Sequence, residues 1–282
     1  MKTNKSYRNI FLIGAFFLLA NAVYFSGCSS PLPPEEIFQN PVDTASTIFI
    51  LPRTSILAGP QNGQTITNDS ITIRWQGNTD AVLFSYKVDT DAWSAWSSAT
   101  STVLDYLDEG SHTLIVKAQH RNKTTEETNP SSVTFIVDAV KGPSAMFYPR
   151  RIFVNAGAAF TYNVYAEEVN LLYGARMAIH YDPALVTIDT IQAGALMQGN
   201  GSSALLIPTI DNSTGIAFVD VATVGRKPKG VSGSGTLAIL RCHALTAGSV
   251  DFTFSKTDCS YRDTTNASIT IRDLIAGKVV VK

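Results

Sequence analysis

Residues 174–188, GARMAIHYDPALVTI, constrain the fold more than any other stretch of the chain. Met177, Ile179 and Tyr181 alternate with Arg176, Ala178 and His180, the period of a strand with one buried face. Asp182 and Pro183 stop that strand. Proline has no amide hydrogen for a ladder, and an aspartate carboxylate bonds the backbone just beyond it. Leu185, Val186 and Ile188 then re-enter the core, so the unit reads as strand, Asp-Pro corner and apolar return.

The same alternation carries through the C-terminal half. Strands are expected at residues 152–154, 160–166, 174–181, 185–191, 204–210, 216–223, 236–245, 250–254, 268–271 and 277–281, with the turn-rich residues 211–215 closing a hairpin. Residues 225–235, with Lys227, Pro228, Lys229 and three further glycines after Gly225, read as a loop. On the strand at 236–245 the core parity is Ala238, Leu240, Cys242 and Ala244, which throws Leu237, Ile239, Arg241 and His243 to the opposite face. Two apolar residues on an exposed face need a cover. Cys242 is a small core residue in this reading, and a hairpin through Ala247 and Gly248 leaves Cys259 out of its reach.

This half resembles cohesin modules, the jelly-roll sandwiches of cellulosome scaffolds. Their strand-and-corner segment, a glycine, an apolar alternation running into Tyr-Asp-Pro and a leucine just beyond, is matched from Gly174 to Leu185. It is flanked in order by Gly157, Phe160, Tyr162 and Val164, by the GSGTL run from Gly233, and by Gly277 to Val281. The resemblance covers residues 144–282 and implies a nine-stranded jelly roll without catalytic chemistry. In that family one sheet face, containing the strands matching 174–181 and 236–245, accepts a dockerin, a small calcium-binding helical pair carried by another protein. By position, the resemblance implies a partner-binding face of Arg176, His180, Leu237, Ile239, Arg241 and His243. It implies no cofactor in this chain, any calcium being on the dockerin partner.

Upstream, Ile71, Ile73 and Trp75, then Phe84, Tyr86 and Val88, then Leu114, Val116 and Ala118, then Val133, Phe135 and Val137 mark four more alternating strands. Gly59-Pro60, Asn62-Gly63 and Glu109-Gly110 supply turns, and short strands so spaced make a sandwich. The stretches 84–89, 93–96 and 107–118 resemble the immunoglobulin-like triple-tyrosine repeat of extracytoplasmic proteins, with His112 where that pattern often has tyrosine. Trp75 belongs to the core by parity. Trp93 and Trp96 could stack on a sugar, but such a pair more commonly caps the sandwich with one ring half exposed at the rim.

The chain begins as a targeting segment. Lys2, Lys5 and Arg8 precede an apolar run at residues 10–20, too short for a permanent span, and Phe25-Ser26-Gly27-Cys28 closes it in a form that resembles a bacterial lipobox. Residues 1–27 are then a lipoprotein signal peptide and Cys28 the lipidated mature N-terminus; Ser29 after it favours the outer membrane or cell surface. Residues 28–47, with Pro31, Pro33, Pro34 and Pro41, form an extended tether.

Enzymatic patterns are missing. The histidines 112, 120, 180 and 243 are dispersed, with no HExxH and no G-x-S-x-G elbow, and there is no metal-ligand spacing of cysteine or histidine. With 22 basic and 23 acidic residues the chain has no basic field for nucleic acid. The expected protein is all-β: two β-sandwich domains in tandem, an Ig/fibronectin-III-like one at 48–140 and a cohesin-like jelly roll at 144–282. Its expected role is that of a monomeric, lipid-anchored surface scaffold that docks a partner protein, for which the resemblance suggests a dockerin-bearing, polysaccharide-degrading enzyme. A carbohydrate-binding surface lipoprotein and a structural envelope protein are the alternatives. The second domain has no tryptophan and no ordered row of tyrosines for a flat glycan, which sets sugar binding behind docking.

Overall fold

The computed structural model describes residues 40–201, 203–225 and 230–282. Cys28 and the signal segment lie outside them. Residues 51–282 form one compact unit, and the described part of residues 1–50 is a run of turns in which Ser46 N donates to Asp43 O at 2.9 Å.

The first half of the compact unit is built from two small sheets. β1 (Thr54–Ala58) pairs with β3 (Ile71–Gly77), which pairs with β5 (Ser101–Leu104). The other sheet runs in the order β2 (Thr65–Ile66), β7 (Ser131–Val137), β6 (Gly110–His120), β4 (Ala81–Val88). Ile73, Trp75, Phe84, Leu114, Val116, Phe135 and Val137 meet between them in one core, each at the parity its strand requires.

Among the described residues the second half has eleven strands: β8 (Ser144–Tyr148), β9 (Arg151–Val154), β10 (Ala159–His180), β11 (Val186–Ala193), β12 (Ser203–Asp211), β13 (Ile216–Val224), β14 (Val231–Ala244), β15 (Gly248–Phe254), β16 (Ser260–Asp263), β17 (Asp273–Ile275) and β18 (Gly277–Val281). A 3₁₀ segment, Ala195–Gly201, follows β11. The strand β14 begins at Val231, inside the stretch expected to be loop, because Val231 is buried and pairs with Leu172.

β10 is the strand everything else hangs on. Its first part pairs with β14 on one side and β8 on the other. Its last part, from Gly174, pairs with β13 and, on the opposite edge, with β16 and then β15. Between them Glu168 and Leu171 take left-handed φ values of 48° and 52°, and the register with β14 slips on either side of Val169. The buried parity consequently switches, from Tyr162, Val164 and Ala166 to Ala175, Met177 and Ile179. One strand therefore contributes to two layers with a single core between them. β11, β14, the first part of β10, β8 and β17 form one layer; β12, β13, the last part of β10, β15, β18 and β9 form the other.

Aromatic rings fill the space between the layers. Phe147, Tyr162 and Phe252 lie with centroids 5.1–5.6 Å apart, and Tyr181 stacks on Phe252 at 5.5 Å. Residues 141–143, between the two halves, lead directly into β8. Around it the two halves are tied by Arg150, whose amide donates to Asp108 Oδ1 at 2.5 Å and whose guanidinium donates to Asp69 Oδ2 at 3.0 Å, and by an Arg151–Asp105 ion pair.

Gly277 starts β18 against this cluster. A Cβ there would sit 1.8 Å from Tyr162 Oη and 2.5 Å from Phe147 Cβ, and neither residue has exposed surface to retreat into. Gly277→Ala is expected to destabilise the protein by about 1–3 kcal/mol through overpacking, read as a lower urea midpoint with an unchanged m-value.

Candidate functional site

The six residues expected to form one partner face do not share one. Arg176 and His180 lie on the last part of β10, opposite Asp220 and Ile216 of β13. Ile239, Arg241 and His243 lie on β14, opposite Asn163, Thr161 and Ala159. They occupy the outer faces of different layers, because the parity switch in β10 separates the strand's two ends. His180 and His243 are accordingly not neighbours.

Leu237 is on neither outer face. It is 0% exposed and belongs to the core cluster. The alternation that placed it outside breaks at a β-bulge: Thr236 opposes Tyr165 and Ala238 opposes Val164, leaving Leu237 as the extra residue. Leu237 O accepts from Gly194 N at 2.8 Å, where β11 gives way to the 3₁₀ segment. The β14 face that remains is polar. Its Ile239 is half-buried, Arg241 donates to Gln192 Oε1 at 3.4 Å, and His243 Nδ1 lies 2.7 Å from Asp189 Oδ2.

The other outer face is different in character. Among the described residues β12 pairs only with β13 and so ends its sheet, and it exposes Leu205 at 50% and Ile207 at 57%. Ladder pairing sets these residues in rows. Ile207, Asp220 and Arg176 form one; Leu205, Ala222 and Gly174 the next; Thr209, Phe218 and Ala178 a third. The Arg176 guanidinium lies 4.9 Å over the Phe218 ring and 3.8 Å from Asp220 Oδ1, leaving both charges half in solvent. A hollow of about 250 Å³ opens between Leu205, Ile207, Arg176 and Asp220. Sequence reasoning took Arg176 and His180 from this face but missed Leu205, Ile207 and Phe218. The signal was present: Leu205, Leu206 and Ile207 run consecutively, so the strand is apolar on both faces while only one can face the core.

The Asp-Pro corner holds this face in register. Asp182 Oδ1 accepts from Ala184 N at 2.9 Å, closing the turn. Asn212 Oδ1 accepts from Tyr181 Oη at 2.6 Å and from Ile188 N at 3.0 Å, and its Nδ2 donates to Ile188 O at 3.0 Å. Gly215, at φ 71°, brings its carbonyl to Tyr181 N at 2.9 Å; a Cβ there would lie 2.1 Å from Tyr181 O, so only glycine fits.

Elsewhere the aromatic candidates are already engaged. Lys117 Nζ lies 4.6 Å from the Trp93 ring centre and 5.0 Å from that of Trp96, between the two indoles considered for sugar stacking. Trp75 is buried. Cys242 is buried and Cys259 half-buried, and both are free thiols. Among the described residues no group of three or more His, Cys, Asp or Glu side chains could hold a metal ion.

Residues 152–281 match the cohesin domain family. Similar solved structures include a non-cellulosomal cohesin from the hyperthermophilic archaeon Archaeoglobus fulgidus, at 16% identity over 49% of this chain and 90% of that one, TM-score 0.41. A type I cohesin–dockerin complex from Clostridium thermocellum is similar at 14% identity over 49% and 98%, TM-score 0.42. A type II cohesin domain from the cellulosome of Acetivibrio cellulolyticus follows at 14% identity over 48% and 94%, TM-score 0.39. No curated protein matches the chain.

The hairpin turn carrying the face has a pH signature. Hydroxyl and amide donors of Ser213 and Thr214 lower the Asp211 carboxyl from 3.8 to about 2. The folded value lies below the unfolded one, so ionised Asp211 stabilises the turn above pH 3.8, and that contribution is lost as pH falls towards 2. In a carboxyl-detected NMR titration, the Asp211 midpoint is expected near 2 and should rise towards 3.8 in a Ser213→Ala/Thr214→Val variant.

Proposed function

We propose that the cohesin domain at residues 152–281 docks a partner protein bearing a dockerin, and that it does so on the outer face of β12, β13 and the last part of β10. The cohesin fold is a non-catalytic docking module, and nothing in this face calls for chemistry. What carries the choice of face is the pair Leu205 and Ile207, large apolar side chains at least half exposed on a flat sheet, beside Phe218 and framed by Arg176, Asp220 and His180. An apolar centre with a polar, hydrogen-bonding rim is the composition of stable protein interfaces. The β14 face, with its charges satisfied by β11, offers no such centre.

In this reading the first sandwich is an immunoglobulin-like spacer, and the tether and lipidated Cys28 hold the protein at the cell surface or outer membrane. The basic start, short apolar run and Phe25-Ser26-Gly27-Cys28 sequence support that placement. The docked partner is then displayed outside the cell, as suits an enzyme acting on polysaccharide.

Capture of dockerin-bearing proteins from the native secretome on the immobilised protein tests the docking. Leu205→Asp/Ile207→Asp is expected to weaken capture at least tenfold, while Arg241→Glu/His243→Glu on the opposite layer leaves it unchanged and circular dichroism confirms both variants fold. The reverse pattern would move the site to β14. For the anchor, Cys28→Ala is expected to abolish metabolic palmitate labelling and release the protein to the soluble fraction; undiminished labelling would refute lipidation at that residue.

A further inference from the structure

The docking face does not end at β10. β16 runs along its far edge, with Ser260 opposite Arg176 and Arg262 opposite Gly174, so these two residues extend the rows that begin at Ile207 and Leu205. They line the hollow on the face, and they also line a larger cavity of about 460 Å³ behind it. The charged residues of that cavity wall are Lys256, Arg262 and Arg272, all cations.

Two of those cations, Lys256 and Arg262, lack an acid beside them among the described residues. The carboxylates nearest in sequence are spent within their own turns: Asp258 accepts from Ser255 Oγ at 2.5 Å, and Asp263 from Thr265 N, Thr265 Oγ1 and Ala267 N at 2.8–2.9 Å. Among the described residues neither Lys256 nor Arg262 makes an ion pair. Arg262 Nη1 is instead held by Ser268 Oγ at 2.6 Å, which fixes the fork without neutralising it. Arg272 keeps one ionic contact, Nε to Asp273 Oδ2 at 3.4 Å.

A second observation concerns donors. Tyr261, between Ser260 and Arg262, faces the core opposite Ala175 and is 4% exposed, and among the described residues its hydroxyl has no hydrogen-bond partner. Burial pushes that phenol well above its ordinary value, so it stays protonated and a donor. The residues lining the cavity thus include three cations and no carboxylate, while the Tyr261 hydroxyl lies behind them on the core side of β16.

We infer that this cavity is a carboxylate socket at the rim of the docking face, filled by an aspartate or glutamate side chain of the docked protein. The inference rests on the docking reading. Planar guanidinium forks match a carboxylate in two-pronged geometry, and the apolar rows leading to the socket give the same partner its hydrophobic seat. The partner's surface therefore pairs an apolar patch with an acidic side chain at one side of it. Charge at such a rim sets orientation and association rate.

The test has two arms on the full chain. Glutarate, a small dicarboxylate, is titrated into isotope-labelled protein; saturable NMR shifts are expected at Ser260, Arg262 and Ser268 and are expected to vanish in Lys256→Ala/Arg262→Gln. The Leu205→Asp/Ile207→Asp variant should keep them, which separates the socket from the apolar seat. In the second arm, a captured partner should bind the Lys256→Ala/Arg262→Gln protein at least tenfold more weakly and with a shallower salt dependence. Absent or unsaturable shifts in the unaltered protein, or a partner indifferent to the double substitution, would overturn the inference. Failure to capture any protein would instead overturn the docking reading, and the occupant with it, while the glutarate arm still decides whether the cavity holds a carboxylate.

Discussion

The second half of the compact unit depends on one strand serving two layers. β10 is 22 residues long and changes buried parity partway along. The change requires two non-glycine residues, Glu168 and Leu171, in left-handed conformations, a penalty of roughly 1–2 kcal/mol each. β14 offsets it: Ser234 Oγ accepts from Glu168 N at 3.0 Å, and Ser232 Oγ accepts from Leu171 N at 2.9 Å. The amides that the bend removes from the ladder are thereby satisfied by hydroxyls from the neighbouring strand. Ser232 and Ser234, which flank Gly233, have a task that their turn-like composition did not reveal.

That bend decides which residues can act together. It sends Arg176 and His180 to the layer that ends in β12, and leaves Arg241 and His243 on the layer that ends in β11. The two outer faces then diverge. On the β14 face each charged side chain has a partner on β11. On the β12 face the exposed surface is apolar and ends in an open strand edge. Pro208 sits exposed on that edge and removes an amide donor, a feature that discourages strand-to-strand aggregation while leaving the side-chain face open.

Local capping has a similar consequence for charge. Asp211, Asp258 and Asp263 each bind hydroxyls or amides of their own turns. A carboxylate so engaged stabilises a loop but neutralises no distant cation. The near balance of acids and bases over the whole chain therefore hides a local cluster of cations, Lys256, Arg262 and Arg272, beside the β12 face.

Several features are legible in the amino-acid sequence by itself. Alternation marks the buried sets Met177, Ile179, Tyr181 and Leu240, Cys242, Ala244, because a strand with one face in the core must repeat every two residues. The Asp-Pro corner is legible for the same local reason, and Asp182 bonds Ala184 N as its side-chain chemistry requires. What pairs with what is not legible. Parity says that a residue faces away from the core but not which of two layers it leaves from, and a bulge such as that at Leu237 breaks parity with no mark in the sequence. Those choices belong to long-range pairing, and they alone set Leu205 and Ile207 beside Arg176 rather than Ile239 beside His180.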